Sequence, residues 1–311
     1  MKVCFGVDLG GTSIKFGMFS ADGNLIEKWE IPTRPGESVF QDVADEIRAK
    51  TAEHGLELKD LLGVGIGVPG PVQENGYVEV CVNLDLRYTN FPQRLSKLLD
   101  GVKVVATNDA NAAALGESWH GGGQNYRHLM LITLGTGVGS GIVLNGKVVN
   151  GARGVAGEVG HVVVDLEEKE HCKCGAQGCL EQVASATGVV RHTKRFLHAD
   201  PDGEKSSLSK ITDLTARDVI DAAKAGDELA QKSLEYCMEF LGKAIADLGQ
   251  IIDPEAFMIG GGLSHAGPFL LDIIVKYYKL HSVFSKKRVD IVLAQLGNDA
   301  GIQGAAKLIL D

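Results

Sequence analysis

Val3-Cys4-Phe5-Gly6-Val7-Asp8-Leu9-Gly10-Gly11-Thr12-Ser13-Ile14-Lys15-Phe16-Gly17-Met18-Phe19 reads as an apolar strand, a glycine-rich turn and a second strand, with no helix between them. Asp22-Gly23 then marks a turn, and Leu25 to Ile31 reads as a third strand. About 125 residues later the pattern returns: the apolar run Leu129 to Leu134, the turn Gly135-Thr136-Gly137, the strand Val138 to Leu144, and the turn Asn145-Gly146. The chain is therefore read as internally duplicated. Neither glycine turn is a P-loop, which needs Gly-Lys-Ser/Thr opening a helix, and neither is a dinucleotide fingerprint, which also needs a helix directly after its glycines. Two strand–turn–strand loops with bare backbone N–H groups instead suit a polyphosphate gripped from two sides.

Working outward, Ser38 to Glu53 places Val39, Phe40, Val43 and Ile47 at helical spacing, with Ser38 as the candidate cap. Buried-type strands are expected at Gly63–Val68 and Val102–Ala106, and an alanine-rich helix from Asp109 to Gly116. Further helices are expected at Ala216–Lys224, Asp227–Ile252 and Pro268–Tyr278. A polar surface loop falls at Ala199–Lys210, and a third glycine turn, Gly260-Gly261-Gly262, follows the apolar run Ala256 to Ile259. Alternation of strands with helices makes the chain α/β.

Composition narrows the function. With 31 Lys and Arg against 40 Asp and Glu, the net charge is −9, which disfavours a nucleic-acid partner. No apolar run approaches the roughly 20 residues that span a bilayer, so no membrane partner is expected and a cytoplasmic location is. At 311 residues the chain exceeds the size of one ordinary core, so two lobes are expected. Forty glycines against eight prolines fit many tight backbone turns.

Four groups of residues suggest chemistry. Asp8 beside Gly10, Gly11 and Thr12 suits a phosphate on backbone amides with a carboxylate near its Mg²⁺; a plain hairpin turn is the alternative. Asp109, in Thr107-Asn108-Asp109-Ala110-Asn111, follows a buried-type strand and opens a helix, where α/β sheets expose functional groups; a helix-capping aspartate is the alternative. His161, Cys172, Cys174 and Cys179, spaced His-x10-Cys-x-Cys-x4-Cys, suit tetrahedral zinc in a closed structural site; free buried thiols are the alternative, and His171 is a rival fourth ligand. Glu158 and Glu181 flank that string and suit sugar hydroxyls, or simply face solvent. Cys4, Cys81 and Cys237 are read as small core residues.

These motifs together resemble the ROK family (repressor, open reading frame, kinase) of sugar kinases, and within it the bacterial glucokinase group. The match covers Asp8-Leu9-Gly10-Gly11-Thr12, Asn108-Asp109, the run from Leu134-Gly135-Thr136-Gly137 through Gly139, Gly141, Gly151, Gly157, Gly160 and His161, and the cysteine string ending Cys179-Leu180-Glu181. The resemblance implies an actin-like, hexokinase-type fold whose lobes repeat a β-β-β-α-β-α-β core. The internal duplication sets the expected boundaries: residues 1–116 with the C-terminal helix 299–311 in a small lobe, and residues 117–298 in a large lobe carrying the zinc loop and the adenosine-side turn.

By the same resemblance, ATP phosphorylates glucose at its 6-hydroxyl with Asp109 as the base. Asn83, Asn108, Asp109, Glu158, His161 and Glu181 contact sugar, and zinc sits on His161, Cys172, Cys174 and Cys179. Asp8, Gly10, Gly11, Thr12, Lys15, Gly135, Thr136, Gly137 and Gly260 to Gly262 serve ATP and its Mg²⁺. A homodimer or homotetramer is implied as well. One departure stands out: where the group often follows Asn-Leu with Gly-Trp, Asn83-Leu84 here leads into Asp85-Leu86-Arg87-Tyr88-Thr89-Asn90, so N-acetylmannosamine, N-acetylglucosamine, mannose and fructose stay open as acceptors. The family also contains sugar-sensing repressors with an N-terminal DNA-binding domain. With the first glycine turn starting at Asp8, no such domain is expected here.

Overall fold

The computed structural model describes residues 1–284 and 289–311. Its strands and helices, in order, are β1 (Val3–Leu9), β2 (Ser13–Ser20), β3 (Leu25–Pro32), α1 (Ser38–Glu53), β4 (Leu61–Val68), β5 (Tyr77–Cys81), β6 (Leu86–Asn90), α2 (Phe91–Leu98), β7 (Val104–Asn108) and α3 (Asp109–His120). After these come β8 (Leu129–Leu134), β9 (Val138–Leu144), β10 (Lys147–Val148), α4 (Leu180–Ala184), α5 (Ala186–Ala199), α6 (Ala216–Lys224), α7 (Glu228–Ile252), β11 (Ala256–Gly260), α8 (Pro268–His281), β12 (Asp290–Leu293) and α9 (Ala300–Leu310). Two five-stranded sheets have the orders β3-β2-β1-β4-β7 and β10-β9-β8-β11-β12, the same arrangement twice, as the repeated strand–turn–strand sequence implies. The chain divides into two compact units, one of Met1–Leu129, Gly141–Gly157 and Gln295–Asp311, the other of Met130–Ser140 and Glu158–Ala294.

In the first unit the two-residue period of β1 sorts its side chains by face. Val3, Phe5, Val7 and Leu9 join Val39, Phe40, Val43 and Ile47 of α1 in one core. Cys4 lies on the opposite face, in a small cluster with Ala306 and Ile309 of α9. Gly6 shares that face, and α9 comes so close that a Cβ on Gly6 would stand 1.9 Å from the Ile302 carbonyl oxygen; at Gly65 of β4 the same test gives 1.7 Å to Ala305. Missing side chains therefore let a helix lie directly on the sheet, and Asp8, next on that face, ends beside Gly301 of the same helix.

Two local expectations shift, and one hairpin is added. At the start of α1 the N-cap position falls on Glu37, which makes no side-chain cap bond, and not on Ser38, which is the first helical residue and donates to the Arg34 carbonyl at 3.2 Å. Strand β7 runs from Val104 to Asn108 instead of 102–106. The chain after β4 also forms the β5–β6 hairpin, with Asn83 in the short 3-10 turn Val82–Leu84 that joins its strands.

In the second unit α7, 25 residues long, buries Leu234, Met238, Leu241 and Ile245 on one side and packs against α5, α6 and α8. The polar stretch after α5 holds two short 3-10 turns, Gly203–Lys205 and Ser207–Lys210, tied down by the Asp227 carboxylate, which accepts from Ser206 and Ser207. Cys4, Cys81 and Cys237 are all buried. Among the described residues no helix is long and apolar enough to cross a membrane.

Candidate functional site

In the first unit, β1, β4 and β7 run parallel and in register, pairing Asp8 with Gly67 and Gly67 with Thr107, so chemistry-bearing residues collect at one sheet end. Gly67 is the gap that allows this: a Cβ there would lie 3.8 Å from Asp8 Oδ1, 3.4 Å from the Asp109 Cα and 3.2 Å from Ala112 Cβ. Burial pushes the Asp8 carboxyl above its usual range, partly offset by the positive charge of Lys15, its antiparallel partner on β2. A cation reaching Asp8 would oppose that burial penalty, so the carboxylate is suited to one.

The turn after β1 closes with Gly10 N–H donating to the Ser13 carbonyl at 3.0 Å, while Thr33 donates through Oγ1 to the Gly10 carbonyl at 2.7 Å and through N–H to Thr12 at 2.9 Å. Gly11 and Thr12 are exposed at its tip. A Cβ on Gly11 would stand 3.6 Å from Asn83 Cβ, so the phosphate-type turn and the hairpin carrying Asn83 are neighbours.

Asp109 is not the cap of α3. That position belongs to Asn108, whose Oδ1 accepts from Ala110 N–H at 2.9 Å and Asn111 N–H at 3.1 Å, and whose Nδ2 donates to the Gly70 carbonyl at 3.1 Å. Because β7 extends to Asn108, Asp109 becomes the first helical residue, half-buried, with Oδ1 accepting from Ala110 N–H at 2.8 Å. The buried Cys81 thiol senses it: burial, and then the Asp109 charge, push that thiol up to about 11 against a lowering bond from Leu84.

The second unit brings the other candidates together. Ligand atoms of His161, Cys172, Cys174 and Cys179 all lie within 4.8 Å of one another. Cys174 Sγ is 3.6 Å from Cys179 Sγ, and Cys172 Sγ is 3.8 Å from His161 Nδ1. A tetrahedron with metal–sulfur bonds of ~2.3 Å has edges of ~3.8 Å, which these two pairs match, and three thiols with one imidazole are the donor types zinc takes. His171, the rival ligand, turns its Nδ1 to the Gly175 carbonyl at 3.1 Å. Burial raises the Cys172 and Cys179 thiols, the latter to about 12, while the Ala176 N–H lowers Cys174.

The loop is held by residues that its cysteine spacing does not reveal. Gln182 Oε1 accepts from Gly178 and Cys179 N–H at 2.9 and 3.1 Å, and its Nε2 donates to the Glu170 carbonyl at 3.1 Å. Glu168, with a side chain 1% exposed, accepts from both terminal nitrogens of Arg195 at 2.8 and 3.0 Å and from Arg191 at 2.8 Å. The only signal of this clamp is two arginines four apart on one face of α5.

Glu181 is the second residue of α4, two after Cys179, and its Oε2 accepts from Val138 N–H at 3.1 Å. It reaches there because position 137 is glycine, where a Cβ would stand 2.0 Å from that oxygen. The Gly135–Thr136–Gly137 turn is further pinned by Ala186 N–H on Gly135 at 2.8 Å and Thr187 Oγ1 on Thr136 at 3.0 Å. Gly260 ends β11, and Gly261, at φ +79°, packs on Leu134, so the second and third glycine turns adjoin; Gly262 opens a short 3-10 turn. Glu158 is exposed and precedes the 3-10 turn Val159–His161. Asp8, Gly10–Thr12, Asn83, Asn108 and Asp109 thus share one unit; Gly135–Gly137, Glu158, His161, Glu181, the cysteines and Gly260–Gly262 share the other.

Comparison with known proteins gives consistent likenesses. The profile of the ROK family matches residues 4–311. A glucokinase of Halalkalibacterium halodurans is 40% identical over 98% of this chain and 94% of its own length, and a glucokinase of Streptomyces coelicolor is 36% identical over 99% and 98%. The crystal structure of a ROK family glucokinase from Streptomyces griseus, in complex with glucose and AMPPNP, superposes with a TM-score of 0.77 at 34% identity, covering 98% of each chain.

Proposed function

The chain belongs to the ROK family and has the actin-like, hexokinase-type α/β fold, and from that premise we propose that it is an ATP-dependent hexose kinase, a glucokinase, transferring the γ-phosphoryl group of ATP to the 6-hydroxyl of glucose. The observation that carries the catalytic assignment is that Asp8, at the end of β1, and Asp109, directly after β7, both border the side-chain gap at Gly67, Asp8 through its carboxylate and Asp109 through its Cα.

In this reading Asp109 accepts the 6-hydroxyl proton while that oxygen attacks the γ-phosphorus and ADP leaves. Capping is carried by Asn108, which relieves Asp109 of that task. Asp8 faces the Mg²⁺ that arrives with ATP, and Lys15 supports its ionised form. Gly10, Gly11 and Thr12 offer backbone groups to phosphate from one lobe and Gly135, Thr136 and Gly137 from the other, with Gly260–Gly262 on the adenosine side. Asn83, Asn108, Glu158, His161 and Glu181 hold sugar hydroxyls. The small lobe of this reading, 1–116 with 299–311, falls inside the first compact unit, which also takes in 117–129, 141–157 and 295–298.

Zinc on His161, Cys172, Cys174 and Cys179 supplies structure and no chemistry, since four protein donors leave no open position. It keeps the loop bearing His161 next to the start of α4, where Glu181 sits. A cytoplasmic location suits this reading, since ATP is supplied there and the thiols of a Cys3His site stay reduced.

A coupled ADP-release assay with MgATP and glucose, mannose, fructose, N-acetylglucosamine and N-acetylmannosamine tests the reading. Glucose is expected to give the highest kcat/KM, and Asp109→Asn to lower kcat by about 10²- to 10⁴-fold with substrate KM values little changed. Wild-type turnover in that variant overturns the role of Asp109. A second reading, a different hexose as acceptor, is favoured by the hairpin after Asn83, where Asp85 and Tyr88 both take left-handed backbone angles of φ 51°. It wins if an N-acetyl sugar or mannose outcompetes glucose.

A further inference from the structure

We infer that Asn150 is a positioning residue for Asp109. The inference rests on the kinase reading above and goes beyond it, because Asn150 lies in the loop after β10 and belongs to none of the groups assigned there.

One side-chain oxygen holds both sides of the Asn108–Asp109 pair. Asn150 Oδ1 accepts from Thr107 Oγ1 at 2.7 Å, one residue before the pair on β7, and from Asn111 Nδ2 at 3.1 Å, just after Ala110 in the first turn of α3. Both donors are 1% exposed, so neither has water as a substitute partner. Asn111 Oδ1 in turn accepts from the Ile142 N–H of β9 at 3.4 Å. Asn150 is itself fixed, its carbonyl accepting from Ala156 N–H at 3.2 Å while the neighbouring Val149 N–H donates to Ile142 at 2.9 Å.

The strand end and the helix start on either side of Asp109 are therefore referred to a single atom on a third segment. Asp109 is half-buried and its backbone is the junction between β7 and α3, so a small rotation of α3 relative to β7 swings its carboxylate. Such a rotation would break one of the two bonds to Asn150. A base must meet its hydroxyl within hydrogen-bond reach, and an error of about 1 Å costs on the order of 10²-fold in rate. Asn108 fixes the helix cap locally; Asn150 fixes where the capped turn stands.

The test is steady-state kinetics on the full chain with saturating MgATP and hexose, per folded molecule, for wild type, Asn150→Ala, Asn150→Asp, Thr107→Val and the Asn150→Ala/Thr107→Val double variant. Asn150→Ala is expected to lower kcat by about 10- to 100-fold with sugar and ATP KM within about threefold. Asn150→Asp, which keeps an acceptor oxygen for both donors, is expected to restore kcat to within about threefold. The double variant is expected to fall no further than Asn150→Ala, because both changes break the same bond.

A kcat within twofold of wild type in Asn150→Ala, whatever its Tm, overturns the inference. So does a rise in sugar KM at unchanged kcat, or an Asn150→Asp variant no better than Asn150→Ala. If Asn150→Ala does not fold, Thr107→Val alone decides, with unchanged kcat counting against. Absence of turnover in the wild type with every hexose overturns the kinase reading, and this inference with it.

Discussion

Removing the charge of Glu168 is expected to loosen the zinc loop in a pH-dependent way. Its side chain is 1% exposed and bonded by Arg195 and Arg191, and the Arg195 bonds, foremost, draw its carboxyl from an ordinary 4.5 down to about 2. At about 1.4 kcal/mol for each tenfold change in ionisation constant, that depression corresponds to about 3 kcal/mol of stabilisation at neutral pH. Glu168→Gln keeps the shape and loses the charge, leaving two arginines facing a neutral amide. For a chain of this size the loss corresponds to a fall in Tm of about 5 °C at pH 7.

The sign with pH follows from the lowered carboxyl. The folded state prefers the ionised form, so the stabilisation is fully present above about pH 5 and is lost as pH falls from there toward 2. The difference between wild type and Glu168→Gln, measured by urea unfolding from pH 7 to pH 3.5, is therefore expected to shrink on the acid side. Glu170→Gln is the control: that side chain is 59% exposed, and its pairs with the same arginines are expected to be worth under about 1 kcal/mol. A Glu168→Gln variant with Tm within 1 °C of wild type at pH 7, or a difference constant across the pH range, refutes the account of the clamp.

Other outcomes follow from close approaches and from the metal. Gly137→Ala puts a Cβ 2.0 Å from Glu181 Oε2, so the carboxylate must leave Val138 N–H; glucose KM is expected to rise about tenfold with Tm changed by less than about 2 °C, by kinetics and thermal melts. Gly65→Ala meets the backbone oxygen of Ala305 at 1.7 Å and has no side chain to displace, so α9 must lift; a loss of about 3 kcal/mol or more is expected in chemical denaturation. Metal analysis is expected to give one zinc per chain, and its removal by chelation to lower Tm and raise glucose KM together; a zinc-free protein unchanged in both would remove the metal from the account.

What could be read from residue order alone was whatever local chemistry dictates. The two strand–turn–strand repeats announce themselves because glycine turns and apolar strands are short-range signals, and the repeated sheet order follows from them. The cysteine string is legible because soft-metal ligation demands particular residue types at short spacing, and its four side chains do converge. Helices α1, α6 and α7 were legible from their apolar period; β5, β6, α2 and α5 were not assigned, β5 and β6 being strands of five residues each.

Long-range packing settled the rest. Asp109 could be read as a cap until β7 was seen to run two residues further and hand that task to Asn108. Nothing near Gly67 in the chain says that its missing side chain is the space Asp8 and Asp109 border. Glu168 and Arg195 stand 27 residues apart, and Thr107 and Asn150 stand 43 apart. Residues so distant acquire meaning only when sheet register and helix packing bring them together, because a hydrogen bond acts over about 3 Å and leaves no periodic trace along the chain.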